Sequence, residues 1–429
     1  MSSSIVPGLY QHKRLRDARS IRVLMLEPAP TYDSTIRCSL VEVTLDTIDE
    51  SDYGYTALSY VWGYKKGDQE IICDGETLLV TRNCEKALRT LRDKTATERF
   101  WVDAICIDQT MESKGIQERS HQIKLMGEIY RNAVGVIVWL GDSDPTRALG
   151  MEHVERVAKY DAMEYNGNYL QRFYAKLMLR RCIKQMWEFS DKNFDSDGNS
   201  PLLPILRSPW TLRIWTVQEV AFAQCCGVAF GYKSGYYLLS WGEFSRAMSR
   251  LVPVIDVETA IWAAGLALKE LLRREISSLI PGKGQVLRDA RRVLDILELL
   301  HHMQATESRD MVYAIYPILE SFGVSLPDPD YLKPVETIYE EMARSIMIAT
   351  QSLEQLRFVC TCTRKPNLRS WVPDWQDENH LNFGELSFET AYGDSSPVTY
   401  LEEGKIAIYG EKVGEVRLRA VSDCRMEGR

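Results

Sequence analysis

The chain has 429 residues, with 52 Lys or Arg against 60 Asp or Glu, so its formal net charge is −8. A composition of 45% hydrophobic and 26% charged residues is typical of a globular protein with a large core and excludes a disordered chain. The acidic balance predicts no nucleic-acid partner, because phosphate binding requires a basic surface. The sequence contains no apolar run of about 18 residues, so it predicts no membrane span. The N-terminus lacks the apolar core of a secretory signal. We therefore expect a cytoplasmic protein.

Metal sites and resident cofactors are not expected. The ten cysteines are scattered without any Cys-x-x-Cys pair, which predicts reduced and mostly buried thiols. Cys360 and Cys362 lack the second half-site that zinc requires. The acidic segment 191–201 does not match a calcium loop. Of its two possible alignments with the loop pattern, one lacks the required Glu and the other lacks the required Gly. A P-loop and a Gly-x-Gly-x-x-Gly turn are also missing from the sequence.

Strand and helix patterns alternate through the first part of the chain. Residues 20–48 contain two β-branched runs split by Pro28 and Pro30, which predict a hairpin or two edge strands. Helical periodicity follows Asn83, a predicted N-cap, and recurs from Ile123 to Tyr130. This alternation predicts an α/β fold, a flavodoxin-like parallel sheet flanked by helices. Its central strands are nearly continuous apolar runs, typical of strands buried on both faces, at 56–62, 100–107 and 134–140.

The later chain is predicted to be mainly helical. Residues 143–207 form a predicted helical insertion ending in the acidic turn, and a further helix begins at Ser208 and Pro209 and continues to about 224. We expect a sheet-based domain over 1–240 and a mainly helical region over 241–429, in which Arg309 and Asp310 form a helix-surface pair. The remaining predicted elements are a strand at 227–230, helices at 263–272, 286–301 and 335–347, and strands at 405–409 and 412–418.

Glu219 is the charged residue whose position is hardest to explain by folding alone. The helix over 208–224 is apolar nearly all round, and a carboxylate there is costly unless it is paired or lines a cavity. Trp215 lies one turn earlier on the same face. One interpretation is a structural ion pair, with Arg213 or Arg207 as the partner. The other is a catalytic or ligand-binding carboxylate beside an aromatic wall.

Polar side chains also gather where the predicted strands end. Ligands of open α/β sheets bind outside the carboxyl ends of the strands, so these side chains are candidates to line one crevice. Helix capping or a turn is the alternative for Asp108 and Asp142, and a satisfied buried hydrogen bond is the alternative for Asp103. The candidates are Ser59, Tyr60, Trp62, Gly63, Asp103, Asp108, Gln109, Gly141 and Asp142.

Four segments together resemble the heterokaryon incompatibility (HET) domain family of filamentous fungi. They are YTALSYVWG at 55–63, RFWVDAICIDQ at 99–109, ERSHQIKLMGEIYRNAVGVIVWLGD at 118–142 and RIWTVQEVAFA at 213–223. The resemblance extends over about residues 20–376, with IRVLMLEPA at 21–29 before them and SRDMVYAIYPIL at 308–319 and SWVPDWQ at 370–376 after them. It implies recognition of non-self after hyphal fusion, with the domain triggering cell death.

HET domains in turn look like relatives of TIR domains, whose sheet is flavodoxin-like. In NAD-cleaving TIR domains a Trp-x-x-x-Glu segment on a helix carries the catalytic glutamate, and Trp215 and Glu219 have this spacing. The resemblance implies hydrolysis of NAD, bound as a substrate, with Glu219 catalytic and Trp215, Tyr60 and Trp62 as stacking surfaces. The alternative is a non-enzymatic death-signalling module that acts through homotypic assembly. Self-association and an activating protein partner are expected, whereas a housekeeping α/β enzyme lacks any recognisable cofactor or nucleophile motif.

Overall fold

The computed structural model describes most of the chain. Four sequence predictions fall wholly or largely outside the described residues, namely the acidic turn, the helix over 286–301, the strand over 412–418 and the Cys360–Cys362 pair. The described residues are 8–47, 54–63, 67–142, 144–192, 200–232, 235–251, 260–278, 293, 296–298, 303–350, 352, 354–359, 365, 367–376, 398–401 and 405–408.

A mixed sheet lies at the centre of the described structure. Its strands are β1 (Ser20–Leu26), β2 (Arg37–Thr44), β3 (Thr56–Tyr60), β4 (Gln69–Cys73), β5 (Glu76–Val80), β6 (Glu98–Trp101), β7 (Gly135–Asp142), β8 (Cys226–Tyr232) and β9 (Gly235–Ser240). Within the described residues they hydrogen-bond in the order β5-β4-β2-β1-β6-β3-β7-β8-β9. A separate antiparallel hairpin consists of β10 (Val398–Leu401) and β11 (Lys405–Ile408).

The four central strands confirm the predicted α/β fold. Neighbours in the series β6-β3-β7-β8 are all parallel, and the series takes these strands in the chain order second, first, third, fourth. This is the order of flavodoxin-like sheets, in which ligands bind where the strand order reverses. The reversal lies at β3, between β6 and β7. Antiparallel β1 and β9 extend the parallel core on its two sides, and the predicted hairpin over 20–48 is the antiparallel pair β1–β2.

Helices cover the sheet and make up more than half of the described residues after β9. The helical insertion is confirmed as α4 and α5, which pack against each other. The bounds are α1 (Arg82–Leu91), α2 (Asp103–Cys106), α3 (Ser113–Asn132), α4 (Pro145–Asn166), α5 (Tyr169–Lys192), α6 (Leu203–Leu206), α7 (Pro209–Leu212), α8 (Trp215–Ala221), α9 (Trp241–Leu251), α10 (Ala260–Ser278), α11 (Asp310–Tyr313), α12 (Tyr316–Ser321) and α13 (Val335–Thr350). In the described chain, no helix is long and apolar enough to cross a bilayer.

The predicted strand over 100–107 is wrong in its second half. β6 ends at Trp101, and Asp103 begins the short helix α2 instead of interrupting a strand. The amides of Ile105 and Cys106 donate to the carbonyl of Val102 at 2.9 and 2.7 Å, which closes a helical turn. The Asp103 carboxylate supports this turn by accepting the amide of Ala104 at 2.7 Å.

The predicted helix over 208–224 is broken into α7 and α8. Arg213 has an extended backbone between them, because the chain pairs here with a distant segment. The amide of Ile214 donates to the carbonyl of Gln304 at 3.0 Å, and the amide of Gln304 donates to the carbonyl of Leu212 at 2.6 Å. Glu219 therefore lies on a helix of seven residues whose start is fixed by the C-terminal half of the chain.

The predicted N-cap of α1 is also wrong. Thr81 caps this helix, since its hydroxyl accepts the amide of Cys84 at 3.3 Å. Asn83 lies inside the helix and donates to the carbonyl of Val61 at 2.7 Å, while its own side-chain oxygen accepts the indole N–H of Trp139 at 3.1 Å. Asn83 therefore joins α1 to the ends of β3 and β7.

The two predicted regions share one hydrophobic core. Leu268 of α10 and Met311 of α11 belong to the same buried cluster as Val217 of α8 and Ile214, which caps the start of α8. The boundary near residue 240 stays a prediction. Because of this packing, the elements around Glu219 come from both sides of the predicted boundary.

Candidate functional site

A buried hydrogen-bonded chain joins the central strand to two short helices. Ser59 is 1% exposed at the end of β3, and Glu219 is 2% exposed on α8. The Ser59 hydroxyl donates to the Glu219 carboxylate and accepts the indole N–H of Trp210, from α7, at 2.7 Å. The strand order reverses at β3, so these hydrogen-bonded side chains lie at the position where flavodoxin-like sheets bind ligands.

The electrostatic environment of Glu219 favours its neutral form. Burial raises the pKa of its carboxyl to about 7, while the positive charge of Arg213 and the Ser59 hydrogen bond oppose the rise. Arg213 was one expected ion-pair partner. Its guanidinium instead donates to the carbonyl of Tyr60 at 2.8 Å. The carboxylate is thus a buried acid held by a serine hydroxyl, with a pKa near that needed for proton transfer at neutral pH.

Lys269 is a second buried charge that sequence reasoning missed. It lies on α10 with 0% exposure, donates to the carbonyl of Thr211 at 2.6 Å and has its ammonium 5.1 Å from the ring centroid of Trp210. Burial lowers the pKa of this amine to about 7, and the charge of Glu219 opposes the shift. The available signal was the uncharged run over residues 260–268 that comes directly before Lys269, although Glu270 and Arg273 follow it on the same helix.

Asp103 and Trp62 form a second polar group beside the first. The Trp62 indole donates to both carboxylate oxygens of Asp103, at 3.0 and 2.9 Å, and Gln109 donates to the Asp103 carbonyl at 3.1 Å. Burial raises the pKa of Asp103, against the lowering effect of Arg213. The Arg213 guanidinium lies 5.8 Å from the Trp62 ring centroid, so this arginine connects both groups.

The strand-end residues Asp108 and Asp142 are engaged elsewhere. Asp108 accepts the amide of Thr110 at 2.9 Å, which is a local turn of the kind considered as the alternative. Asp142 forms an ion pair with Lys86 of α1. Gly141, beside it, has a φ of +96°, a left-handed conformation that favours glycine. Neither carboxylate contacts Glu219 through the hydrogen bonds of the described residues.

Trp215 and Tyr60 are buried with their polar groups turned to different partners. Trp215 hydrogen-bonds to Asp310, which also accepts the hydroxyl of Tyr331 at 2.6 Å. Asp310 is therefore a partly buried acceptor rather than the surface partner of Arg309 predicted from the sequence, and desolvation raises its pKa. Tyr60 offers its carbonyl to Arg213, and burial raises the pKa of its phenol.

The site is closed in this conformation. Two cavities of about 270 and 130 Å³ lie elsewhere, one between α9 and α10 and one between α3 and α12, and neither is lined by Glu219. At 2% exposure, the Glu219 side chain has almost no contact with solvent. Among the described residues, no group of three or more His, Cys, Asp or Glu side chains is placed to bind a metal ion.

Comparison with known proteins finds one family model that matches the segment containing the site. Residues 55–219 match the sequence model of the family described as heterokaryon incompatibility protein (HET). The chain is also 24% identical over 413 residues to heterokaryon incompatibility protein 6, OR allele, of Neurospora crassa. That match covers 83% of this chain, and the chain spans 57% of the length of that relative. No solved structure matches the chain. The family match begins at β3 and ends at Glu219, so it includes both Ser59 and its partner.

Proposed function

We propose that this chain, which carries a HET domain over residues 55–219, is an effector of heterokaryon incompatibility that triggers fungal cell death after non-self recognition. The observation that carries the proposal is the family match, which spans the segment from β3 to Glu219. The similarity to the Neurospora crassa protein, which extends over 83% of this chain, supports it. We expect the protein to act in the cytoplasm.

The proposed chemistry is hydrolysis of NAD, with Glu219 as the catalytic carboxylate. The bond from C1′ of the ribose to the nicotinamide nitrogen breaks, and nicotinamide leaves as a neutral molecule with the electron pair of that bond. Water adds its oxygen to C1′ and releases one proton to solvent. Positive charge develops at C1′ during this step, and an ionised carboxylate in a water-poor site stabilises it. The support is a buried carboxyl whose pKa of about 7 leaves a large ionised fraction at neutral pH. Ser59 positions the carboxylate, and Trp62 is a stacking surface for a flat ring.

The burial of Glu219 means that this activity requires activation. At 2% exposure the carboxylate has no contact with a dissolved substrate. We propose that self-association or a protein partner moves α7 or α8 away from β3 and opens the site. The small size of both helices, four and seven residues, keeps the rearrangement local.

A non-enzymatic module is the second candidate. The observation that favours it is the same burial of Glu219. Buried polar groups with a purely structural role are also hydrogen-bonded, as this carboxylate is to the Ser59 hydroxyl. In that case the domain would signal by homotypic assembly, and Ser59, Trp210 and Glu219 would act only to hold the fold that assembles.

Nicotinamide release separates these two candidates. The purified full chain is incubated with NAD at high concentration or after forced clustering, alongside Glu219→Gln, which is nearly isosteric. Glu270→Gln is the matched control, because Glu270 is 8% exposed on α10 and is paired with Arg273 and Arg274 rather than with the site. We expect release by the wild type and the control but not by Glu219→Gln, with all three folded by circular dichroism. Intact NAD with clustered wild type would rule out the enzymatic candidate.

A further inference from the structure

Large apolar side chains collect at the end of the α4–α5 hairpin and face solvent. The hairpin closes at Gly167, whose carbonyl accepts the guanidinium of Arg172 at 2.8 Å. Around this turn and along the first turns of α5, six apolar or aromatic residues are about half or more exposed. This tip patch consists of Tyr165 (82%), Tyr169 (83%), Leu170 (75%), Phe173 (66%), Tyr174 (49%) and Leu177 (57%).

The patch lies on the side of α5 that faces away from the protein. The packed side of the helix is marked by Ala175, Leu179 and Cys182, which are all buried and follow the spacing of one helical face. Phe173 and Leu177 are also one turn apart, and at 100° per residue they fall on the opposite side of the helix. α5 therefore has two apolar faces, and only one of them is covered by the fold.

The size of the tip patch is unusual for a monomer surface. An aromatic side chain has about 150–250 Å² of surface, so at the observed exposures the four aromatic residues alone present on the order of 500 Å². The largest apolar patch of a typical monomer is about 300–600 Å² and often has a function. With Leu170 and Leu177 added, the tip patch reaches or exceeds the top of this range, so it indicates a binding surface.

The charges along the same helix indicate what binds there. Between Tyr169 and Gln185, α5 carries five exposed basic residues and no acidic one, although the whole chain has a net charge of −8. Lys176 is 4.0 Å from Glu164 of α4 and is partly compensated. A second copy in a two-fold contact would place the same cations opposite themselves, which is unfavourable. The basic residues are Arg172, Lys176, Arg180, Arg181 and Lys184.

We propose that the tip patch binds the surface of a bilayer that contains anionic lipids. Tyr, Phe and Leu side chains are those that enter the boundary between headgroups and acyl chains, and basic residues on the same amphipathic helix attract anionic headgroups. In this arrangement Tyr165, Tyr169, Leu170, Phe173 and Leu177 enter the bilayer along the outer side of the hairpin end. Arg180 and Arg181, about one turn beyond Leu177 along α5, face the headgroups. The binding is interfacial, since no described helix is long and apolar enough to span a membrane.

Cosedimentation of the full chain with vesicles tests this proposal. Vesicles of phosphatidylcholine alone are compared with vesicles that also contain phosphatidylserine. We expect the wild type to bind the mixed vesicles and the pair Arg180→Gln with Arg181→Gln to bind them about 30-fold more weakly, given the usual contribution of each basic residue near an anionic surface. The pair Phe173→Ser with Leu177→Ser should lose at least as much, because apolar area then leaves the bilayer. Leu332→Ser is the matched control, since Leu332 is 83% exposed outside the patch, and it should bind like the wild type.

Three results would overturn the proposal. One is no binding of the wild type to the mixed vesicles at low salt. The second is binding that neither double substitution weakens relative to Leu332→Ser. The third is a dimer in light scattering, or a complex with DNA, that Phe173→Ser with Leu177→Ser abolishes while vesicles do not bind. In that case the tip patch is a surface for a second copy or for nucleic acid.

Discussion

Ser59 and Glu219 are 160 residues apart in the sequence and share a buried hydrogen bond between the central strand β3 and helix α8. Trp210 extends this bond to α7, since its indole donates to the same serine oxygen. One hydroxyl thus satisfies a buried acid and a buried N–H at the point where the strand order reverses. This hydroxyl therefore links both α7 and α8 to the central strand of the sheet.

Removing the Ser59 hydroxyl should destabilise the fold. Ser59→Ala leaves the Glu219 carboxyl and the Trp210 N–H without this partner, and we expect the free energy of unfolding to fall by about 1–3 kcal/mol. Urea denaturation measures the change. Ser277→Ala is the control, because this exposed hydroxyl donates only to the carbonyl of Arg274, one turn away on α10. Equal stability of the two variants would show that the buried bond contributes nothing.

The stability of the protein should depend on pH through Glu219. Its pKa is raised from 4.5 to about 7, so between these values the folded state holds a proton that the unfolded state has released. The stability that protonated Glu219 contributes to the fold is complete below about pH 4.5 and is lost as pH rises through 7. Its size is on the order of 3 kcal/mol. Urea denaturation between pH 5 and 8 should show this loss in the wild type relative to Glu219→Gln. Parallel pH profiles would contradict a buried, protonated Glu219.

Lys269 should produce the opposite slope at higher pH. Its pKa is lowered from 10.5 to about 7, so in this window the unfolded state binds a proton that the folded state lacks. Stability should therefore rise as pH increases from 7 towards 10. Lys269→Met, similar in length and uncharged, should remove this rise, as measured by urea denaturation over the same range. An unchanged slope in the variant would place the titrating group elsewhere.

A close contact between α3 and α12 can be tested at Gly127. A β-carbon at this position would lie 2.7 Å from the Pro317 β-carbon. Gly127→Ala should therefore lower the free energy of unfolding by about 1–3 kcal/mol through overpacking. This loss is larger than the roughly 1 kcal/mol that the better helix propensity of alanine adds. Gly242→Ala is the matched control at the start of α9, where only the flexible end of Arg246 is near. Thermal denaturation should therefore show a lower melting temperature for Gly127→Ala than for the control. A gain in stability at Gly127 would contradict the packing of α12, from the C-terminal half of the chain, against α3.

The parallel core could be predicted because β3 and β7 are buried on both faces and read as continuous apolar runs. The same signal failed at 100–107, since a short apolar run does not distinguish a strand from a buried helical turn. The β4–β5 hairpin was missed, although Asp74 and Gly75 at its turn have φ values of +50° and +85° and form a known hairpin signal. The break at Arg213 has no local signal, because it depends on pairing with Gln304.

The candidate site was predicted in its residues but not in its contacts. The apolar helix singled out Glu219, and the end of β3 singled out Ser59, yet no local pattern joins two side chains so far apart in the sequence. For Lys269, the available signal was the uncharged run that precedes it on α10. Asp310 was interpreted as a surface residue because its partners, Trp215 and Tyr331, come from other segments.

Hyphal viability after induced expression tests the central claim most directly. Wild type, Glu219→Gln and the matched control Glu270→Gln are expressed at equal levels in a filamentous fungus, each with forced clustering to supply the proposed activation, and folding is checked for each. If Glu219 is the functional centre of an incompatibility effector, the wild type and Glu270→Gln kill the cells and Glu219→Gln does not. Equal killing by folded Glu219→Gln, or survival with the wild type, would contradict the account.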